Sequence, residues 1–369
     1  MDKAQDWAQL TNLLVVRLDN MGDVLMTTPA IRALKESLPE RKITLLTSSV
    51  GAAVAKHIPE IDDVITFDVP WVKNSLDHSN MQTQALISAL AERAFDGAII
   101  CTVYSQTPFP SAMLCYLAGI PRVLGYSHEN PYGLITDWVP DTEPATPVRH
   151  EVQRQLDLVA QAGATTGNAR LSLDLPEETH TATAEKLTAM GVNLEQPWLV
   201  LHPGASEPKR LYDPEGFIQA GRQLMEQGWQ IVLTGSPSEA EQVAAIHHGL
   251  GDRAIDATGQ LSLDELISAI GQAHVLVSNN TGPVHIAAAT ETPVVVLYAQ
   301  TNPQHTPWQV PSEVLYFPVP QALKSQNYFL QDHGCPAEPT ASPQAIIDAV
   351  TTLSAPVFRV KETPYYAQS

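Results

Sequence analysis

The sequence predicts an α/β protein built as two domains with parallel sheets that face each other across a cleft. Three observations carry that expectation. The chain has 369 residues, more than one ordinary domain needs and enough for two separate cores. Two stretches alternate short β-branched runs with amphipathic helical spacing, the pattern of strands joined by crossover helices. Several of the strand runs end in short loops holding Gly, Asn, Asp or Ser, and parallel sheets bind ligands beyond the carboxyl ends of their strands.

The first stretch opens with the apolar run Leu13-Leu14-Val15-Val16, a loop at 19–23, and a helical stretch with Val24, Ile31, Leu34 and Leu38 on one side. Ile43-Thr44-Leu45-Leu46 reads as the next strand, a helical segment runs to Ile58, and 64–67 is a third strand. A helix at 82–92 and a strand at 97–101 continue the rhythm. Residues 140–147 are rich in Pro, Thr and acid and read as a loop, and Val152, Leu156 and Val159 give 150–162 helical spacing. The segment 171–178 is expected to carry the crossing into the second domain. There, strands are expected at 198–202, 230–234, 275–278 and 293–298. Helices are expected at 214–227, 239–250 and 263–273, with another starting at 284–289. After Ala299 the chain is Pro-rich and reads as irregular, up to a last helix at 343–353. The division is thus 1–175 for the first domain, 176–345 for the second, and 346–369 for the helix end and tail.

Composition narrows the function. A net charge of −19, with neither half basic, excludes a nucleic-acid footprint. An anionic ligand must then be held by local devices: a few Lys or Arg, backbone N–H groups and helix N-termini. Three cysteines without C-x-x-C spacing give no zinc site or disulfide framework, and a reducing compartment is expected. The start MDKAQDWAQL has neither a basic n-region nor an apolar h-region. No run approaches bilayer length, so a soluble, cytoplasmic protein is expected, with any membrane contact peripheral.

Four loops carry candidate chemistry. The first is Arg17-Leu18-Asp19-Asn20-Met21-Gly22-Asp23. Its single glycine does not make a dinucleotide fingerprint, but Gly22 permits a tight turn and close ligand approach. Asp23 stands where a helix begins, as an N-cap or as a general base at the cleft edge, and the two need not exclude each other. The second is His202-Pro203-Gly204-Ala205-Ser206-Glu207-Pro208-Lys209-Arg210. Ser206 and Lys209 could grip a diphosphate there, or the loop could simply be polar and solvated. In the third, Ser278-Asn279-Asn280-Thr281-Gly282-Pro283-Val284-His285, Pro283 suits a first helical turn. The N–H groups of Thr281, Gly282 and Val284 would make an anion site at the positive end of the helix dipole. The plainer alternative is a tight strand-helix turn with His285 in the core. The fourth holds Glu239, after Gly235-Ser236-Pro237-Ser238, as a ribose acceptor or as a partner of its own helix dipole. No Asp-x-Asp triplet occurs, and no metal site is expected.

The segments LLVVRLDNMGDVLMTTPAIRALKESLP, LHPGASEPKRLYDPEGF, GSPSEAE and SNNTGPVHIAAATETPVVVLYA resemble the motifs of heptosyltransferase-like glycosyltransferases. HEVQRQLDLV and Cys335-Pro336 fit the same pattern. The resemblance covers nearly the whole chain. It implies the GT-B fold, two Rossmann-like domains with the acceptor bound by the first, and an inverting mechanism without metal or cofactor. The donor would be a nucleotide-diphosphate sugar, most naturally an ADP-sugar, and the acceptor a saccharide or lipid-linked saccharide at the inner face of a membrane, as in lipopolysaccharide or surface-glycan synthesis. It assigns Asp23 as catalytic base and Ser206 and Lys209 as diphosphate contacts. Glu239 becomes the ribose acid, and Thr281, Gly282 and His285, with Gly22, Asn280 and Pro283 beside them, the nucleotide-binding turn. The family commonly has Asp where this chain has Asn280, which keeps the shape and loses the charge. The segment 321–335 departs from the pattern as well. A nucleotide-sugar epimerase or hydrolase, and a non-catalytic nucleotide-sugar-binding protein, are the alternatives on the same fold.

Overall fold

A computed structural model describes residues 7–72, 79–299, 303–320, 323 and 338–355. The apolar runs become twelve strands in two sheets. The first sheet holds β1 (Asn12–Arg17), β2 (Lys42–Thr47), β3 (Asp63–Thr66), β4 (Gly97–Ile100), β5 (Val123–Ser127) and β6 (Asp137–Pro140), in the order β3-β2-β1-β4-β5-β6. The second holds β7 (Trp198–His202), β8 (Gln230–Leu233), β9 (Ile255–Asp256), β10 (Val275–Asn279), β11 (Val294–Ala299) and β12 (Ser312–Phe317), in the order β12-β11-β10-β7-β8-β9. Every pairing is parallel. Counted from its own first strand, each sheet has the 3-2-1-4-5-6 order, whose direction reverses between β1 and β4 and again between β7 and β10. Crevices at such switch points are where doubly wound sheets bind ligands.

The helices are α1 (Met21–Ser37), α2 (Ser49–Ala55), α3 (Asn80–Glu92), α4 (Phe109–Leu117), α5 (Glu151–Ala160) and α6 (Glu177–Ala189), then α7 (Pro214–Glu226), α8 (Ala240–Leu250), α9 (Leu263–Gln272), α10 (Gly282–Ala289) and α11 (Pro343–Ser354). β1 and β10 are buried along almost their whole length around the apolar runs Leu13–Val16 and Val275–Val277, as central strands covered on both faces must be. One buried apolar cluster runs from Leu13, Val24 and Leu25 through Leu171 and Leu187 to Val200, Leu276 and Val284, so the core of α1 continues into that of α10. Burying these side chains contributes about 1.5–3 kcal/mol for each Val or Leu. Polar ties reinforce the contact. His150 stacks on Trp308 with ring centroids 4.4 Å apart, the Trp308 indole donates to the Ala169 carbonyl at 2.7 Å, and His57 meets Asp264 at 2.8 Å.

One expectation needs correction. The chain past Ala299 is not wholly irregular, since β12 extends the second sheet parallel to β11. Residues 177 and 178 of the segment 171–178 open α6, and the last helix, expected at 343–353, is α11, whose Ile346, Ile347 and Val350 pack into the core of the second sheet. Cys101 and Cys115 are buried and unpaired, and burial pushes both thiols up to about 12. Cys335-Pro336 and, apart from 323, the segment 321–335 lie outside the described residues. No described helix is long and apolar enough to cross a membrane.

Candidate active site

Two helix N-termini meet face to face at the cleft. α1 follows the switch-point strand β1, and α10 follows β10, one of the two switch-point strands of the second sheet. Each carries a glycine where the other helix presses in. A Cβ built on Gly22 would lie 2.5 Å from the His285 ring, and one on Gly282 would lie 2.9 Å from the Met21 sulfur. Gly22 is therefore not needed for a turn, as the sequence suggested. It sits inside α1, and the absent side chain makes room for His285. The close approach aims two positive dipole ends at one space, a cavity of about 540 Å³ bordered by Met21, Asp23, Ser206, Glu239, Thr281 and His305 among others.

Asp23 is not the N-cap. Asn20 holds that position, and its backbone N–H donates to Asp23 Oδ2 at 3.2 Å, so Asp23 is the third-position carboxylate of a capping box. Its Oδ1 is met by Arg17 Nη2 at 2.9 Å, with His305 Nε2 4.0 Å away. Burial alone would raise the Asp23 carboxyl. The charge of the Arg17 guanidinium outweighs that and holds it below the ordinary carboxylate range. Asp23 is thus an ionised proton acceptor at neutral pH, facing the cavity.

Arg17 is the device that the motifs alone did not reveal. It closes β1, is fully buried, and meets three carboxylates: Glu151 at 2.6 Å, Asp23 at 2.9 Å and Asp19 at 3.1 Å. Glu151, itself buried, opens α5 inside the HEVQ segment. Asp19 behaves opposite to Asp23. Burial, only partly offset by Arg17 and compounded by Asp23, raises its carboxyl to about 6. The signal available in sequence was a charged residue ending an otherwise apolar strand.

Glu239 also turns out to be a capping-box acid, its Oε2 accepting from the Ser236 N–H at 2.7 Å and from Ser236 Oγ at 2.8 Å. Its Oε1 lies over Gly204, where a Cβ would collide with it. At α10, Thr281 is the N-cap. The Val284 N–H already donates to the Thr281 carbonyl at 3.1 Å, which leaves Thr281 and Gly282, and not Val284, as donors toward the cavity. Pro283 occupies the first turn, and Asn280 opens onto the same space. Asn279, which no motif singled out, ties the turn to the second loop: it donates to the Pro203 carbonyl at 2.6 Å and accepts from the Tyr212 N–H at 3.1 Å.

His285 and His305 both border the cavity, and burial drives each imidazole down to about 3, so both are neutral. Ser206 borders it as well. Lys209 does not. In the 3₁₀ turn Pro208–Arg210 successive side chains point about 120° apart, and it is Arg210 that reaches the cavity, its Nε buried without a hydrogen bond. No group of three or more His, Cys, Asp or Glu among the described residues is arranged to hold a metal ion.

Two doubly wound domains with a nucleotide-sized cavity between their switch points make the GT-B fold, on which the family decides the chemistry. Within it, residues 83–328 match the model of glycosyltransferase family 9 (heptosyltransferase), and the chain belongs to that family. It is 26% identical to lipopolysaccharide heptosyltransferase 2 of Escherichia coli K12 over 308 residues, 80% of this chain and 84% of that protein. It is 24% identical to lipopolysaccharide heptosyltransferase 1 of Pseudomonas aeruginosa, over 91% of this chain and 90% of that one. Among solved structures, a family 9 glycosyl transferase from Veillonella parvula superposes with a TM-score of 0.76 at 21% identity, covering 93% of this chain and 97% of the other. The E. coli ADP-heptose lipopolysaccharide heptosyltransferase II gives 0.70 at 23%, covering 93% and 98%.

Proposed function

We propose that this glycosyltransferase moves a heptose or related sugar from an ADP-sugar to a saccharide acceptor, with inversion and without a metal ion or cofactor, in the synthesis of lipopolysaccharide or a related surface glycan at the inner face of a membrane. The observation that carries the reading is the pair of facing helix N-termini with Asp23 at their junction. A diphosphate in the 540 Å³ cavity would meet the Thr281 and Gly282 N–H groups, Ser206 and Arg210, with Glu239 Oε1 turned to a ribose. The acceptor hydroxyl would attack the anomeric carbon from the side opposite the diphosphate. Asp23 takes its proton, and the electron pair of the breaking bond leaves with the diphosphate. The two domains, divided near residue 175, would hold acceptor and donor respectively.

Thermal shift with nucleoside diphosphates tests the donor, since a ligand at 100 times its Kd stabilises by about 2.7 kcal/mol. ADP should raise the Tm more than UDP or GDP, and ADP-heptose turnover should persist in excess EDTA. Strict dependence on added magnesium or manganese would overturn the metal-free mechanism.

The cation assignment moves from Lys209 to Arg210. Removing a donor that stabilises the leaving diphosphate costs about 10²–10³ in kcat. Arg210→Ala should lose kcat on that scale, while Lys209→Ala leaves it little changed. The reverse ranking, read from initial rates at saturating donor, would restore Lys209 to the diphosphate.

A further inference from the structure

The donor cavity does not end at Asp23. Asn20, Val50, Ser206 and Arg210 also border a second cavity of about 590 Å³. Through Leu18, Asp19, Trp71, Val72 and Gln106 this one shares its wall with a third, of about 240 Å³, at the carboxyl ends of β1 and β4. The outer groove differs chemically from the donor side. Among the described residues its charged groups are the carboxylates Asp19, Asp68 and Glu207, and its one cation is Arg210, at the border with the donor cavity. The remaining polar wall is hydroxyl and amide, beside the Trp71 indole.

Two of the carboxylates are held in place. Asp19 accepts from Gln106 Nε2 at 2.5 Å and faces Arg17 Nε at 3.1 Å, and Asp68 accepts from the Ser49 N–H at 2.8 Å and its hydroxyl at 3.0 Å. A carboxylate offers about four lone-pair sites, so each can still accept from a ligand hydroxyl. An aromatic face beside fixed acceptors suits a sugar ring, whose C–H face is apolar and whose rim is made of donors. A phosphate or carboxylate offers no such donors and would be placed among like charges in a partly desolvated groove.

We propose that this groove selects an acceptor whose accepting end is an uncharged sugar, without phosphate or carboxylate, and that Asp19 is the residue that reads it. The inference rests on the transferase reading above. Asp19 borders both outer cavities and shares the Arg17 guanidinium with Asp23, so a sugar held by Asp19 presents its hydroxyls next to the base.

Saturation-transfer NMR on the full chain tests it, using the methyl glycosides of glucose, galactose and mannose against the 6-phosphates of the same sugars. ADP binding is measured by calorimetry on the same samples. At least one neutral glycoside should bind, with its 6-phosphate weaker by about tenfold or more. Asp19→Ala should weaken the neutral ligand while ADP binding is retained, and Asp19→Asn combined with Asp68→Asn should narrow the gap between neutral and phosphorylated probes. Equal or tighter binding of the phosphates overturns the proposal. So does a neutral signal that survives Asp19→Ala, or ADP binding with no glycoside bound. Failure of wild-type protein to bind ADP counts against the transferase reading itself, and is recognised separately by that measurement.

Discussion

Asp23→Asn is expected to lower kcat by about 10²–10⁴, the range that a positioned general base supplies, while ADP affinity stays within a few-fold. The substitution removes the proton acceptor and keeps the shape. Asp23 has two jobs in this fold, one on each oxygen: Oδ1 faces Arg17 and Oδ2 accepts from the Asn20 N–H. An amide has a single acceptor, so either the ion pair or the helix cap is lost, and stability should drop by about 1 kcal/mol as well. The two losses separate by measurement, because thermal melting reports the cap while single-turnover transfer reports the base. Near-normal turnover in a variant that merely melts earlier would leave Asp23 with the capping role alone. The pH profile adds a second check. Because Arg17 offsets burial and depresses the Asp23 carboxyl, loss of rate through protonation of this group should set in only below the ordinary carboxylate range.

How much of this was legible in the sequence depends on local contrast. The central strands were readable because each has an apolar, β-branched core: Leu13–Val16 in β1, Ile43 with Leu45 and Leu46 in β2, Val275–Val277 in β10, and the whole of β11. β5 escaped notice because Gly125 and Ser127 interrupt the run in VLGYS, and β6 because it is four residues long and ends in proline. α4, FPSAMLCYL, has no charged residue to mark a solvent face, although its Met113, Tyr116 and Leu117 are exposed. α6 buries only Thr183 and Leu187, so its threonine-rich sequence shows no apolar periodicity. β12 was hidden behind the prolines that precede it.

At the site, the glycines and helix starts were recognisable as local motifs, whereas their partners come from far along the chain. Glu151 reaches Arg17 across 134 residues, and nothing in the sequence pairs them. His305 lies beyond β11 in a segment that reads as loop, and is brought to Asp23 only by the packing of the two domains. The choice between Lys209 and Arg210 turns on the phase of one 3₁₀ turn, which composition does not encode.

The largest effect on folding is expected from Arg17→Met. The guanidinium is fully buried among Glu151, Asp19 and Asp23, and removing one partner of a buried charge network costs about 3–5 kcal/mol because the other charges stay behind unpaired. Glu151 would suffer most. It has no exposed surface, its Oε2 has no hydrogen bond even now, and among the described residues the only side-chain donor left would be Gln155 Nε2, 2.7 Å from Oε1. The deficit should depend on pH with a definite sign. Without Arg17 nothing opposes the burial that raises the Asp19 and Asp23 carboxyls, so folding takes up protons there and the variant is penalised most at neutral pH. As pH falls toward 5 they become neutral and the gap to wild type should narrow. Glu151→Gln added to Arg17→Met should recover part of the loss at pH 7.5, since it removes the most deeply buried of the stranded charges. Urea unfolding at pH 7.5 and pH 5 measures both effects. A deficit under about 1 kcal/mol, the scale of an exposed ion pair, or one that does not change between the two pH values, would mean that water reaches the cluster and that Arg17 does not hold the site together.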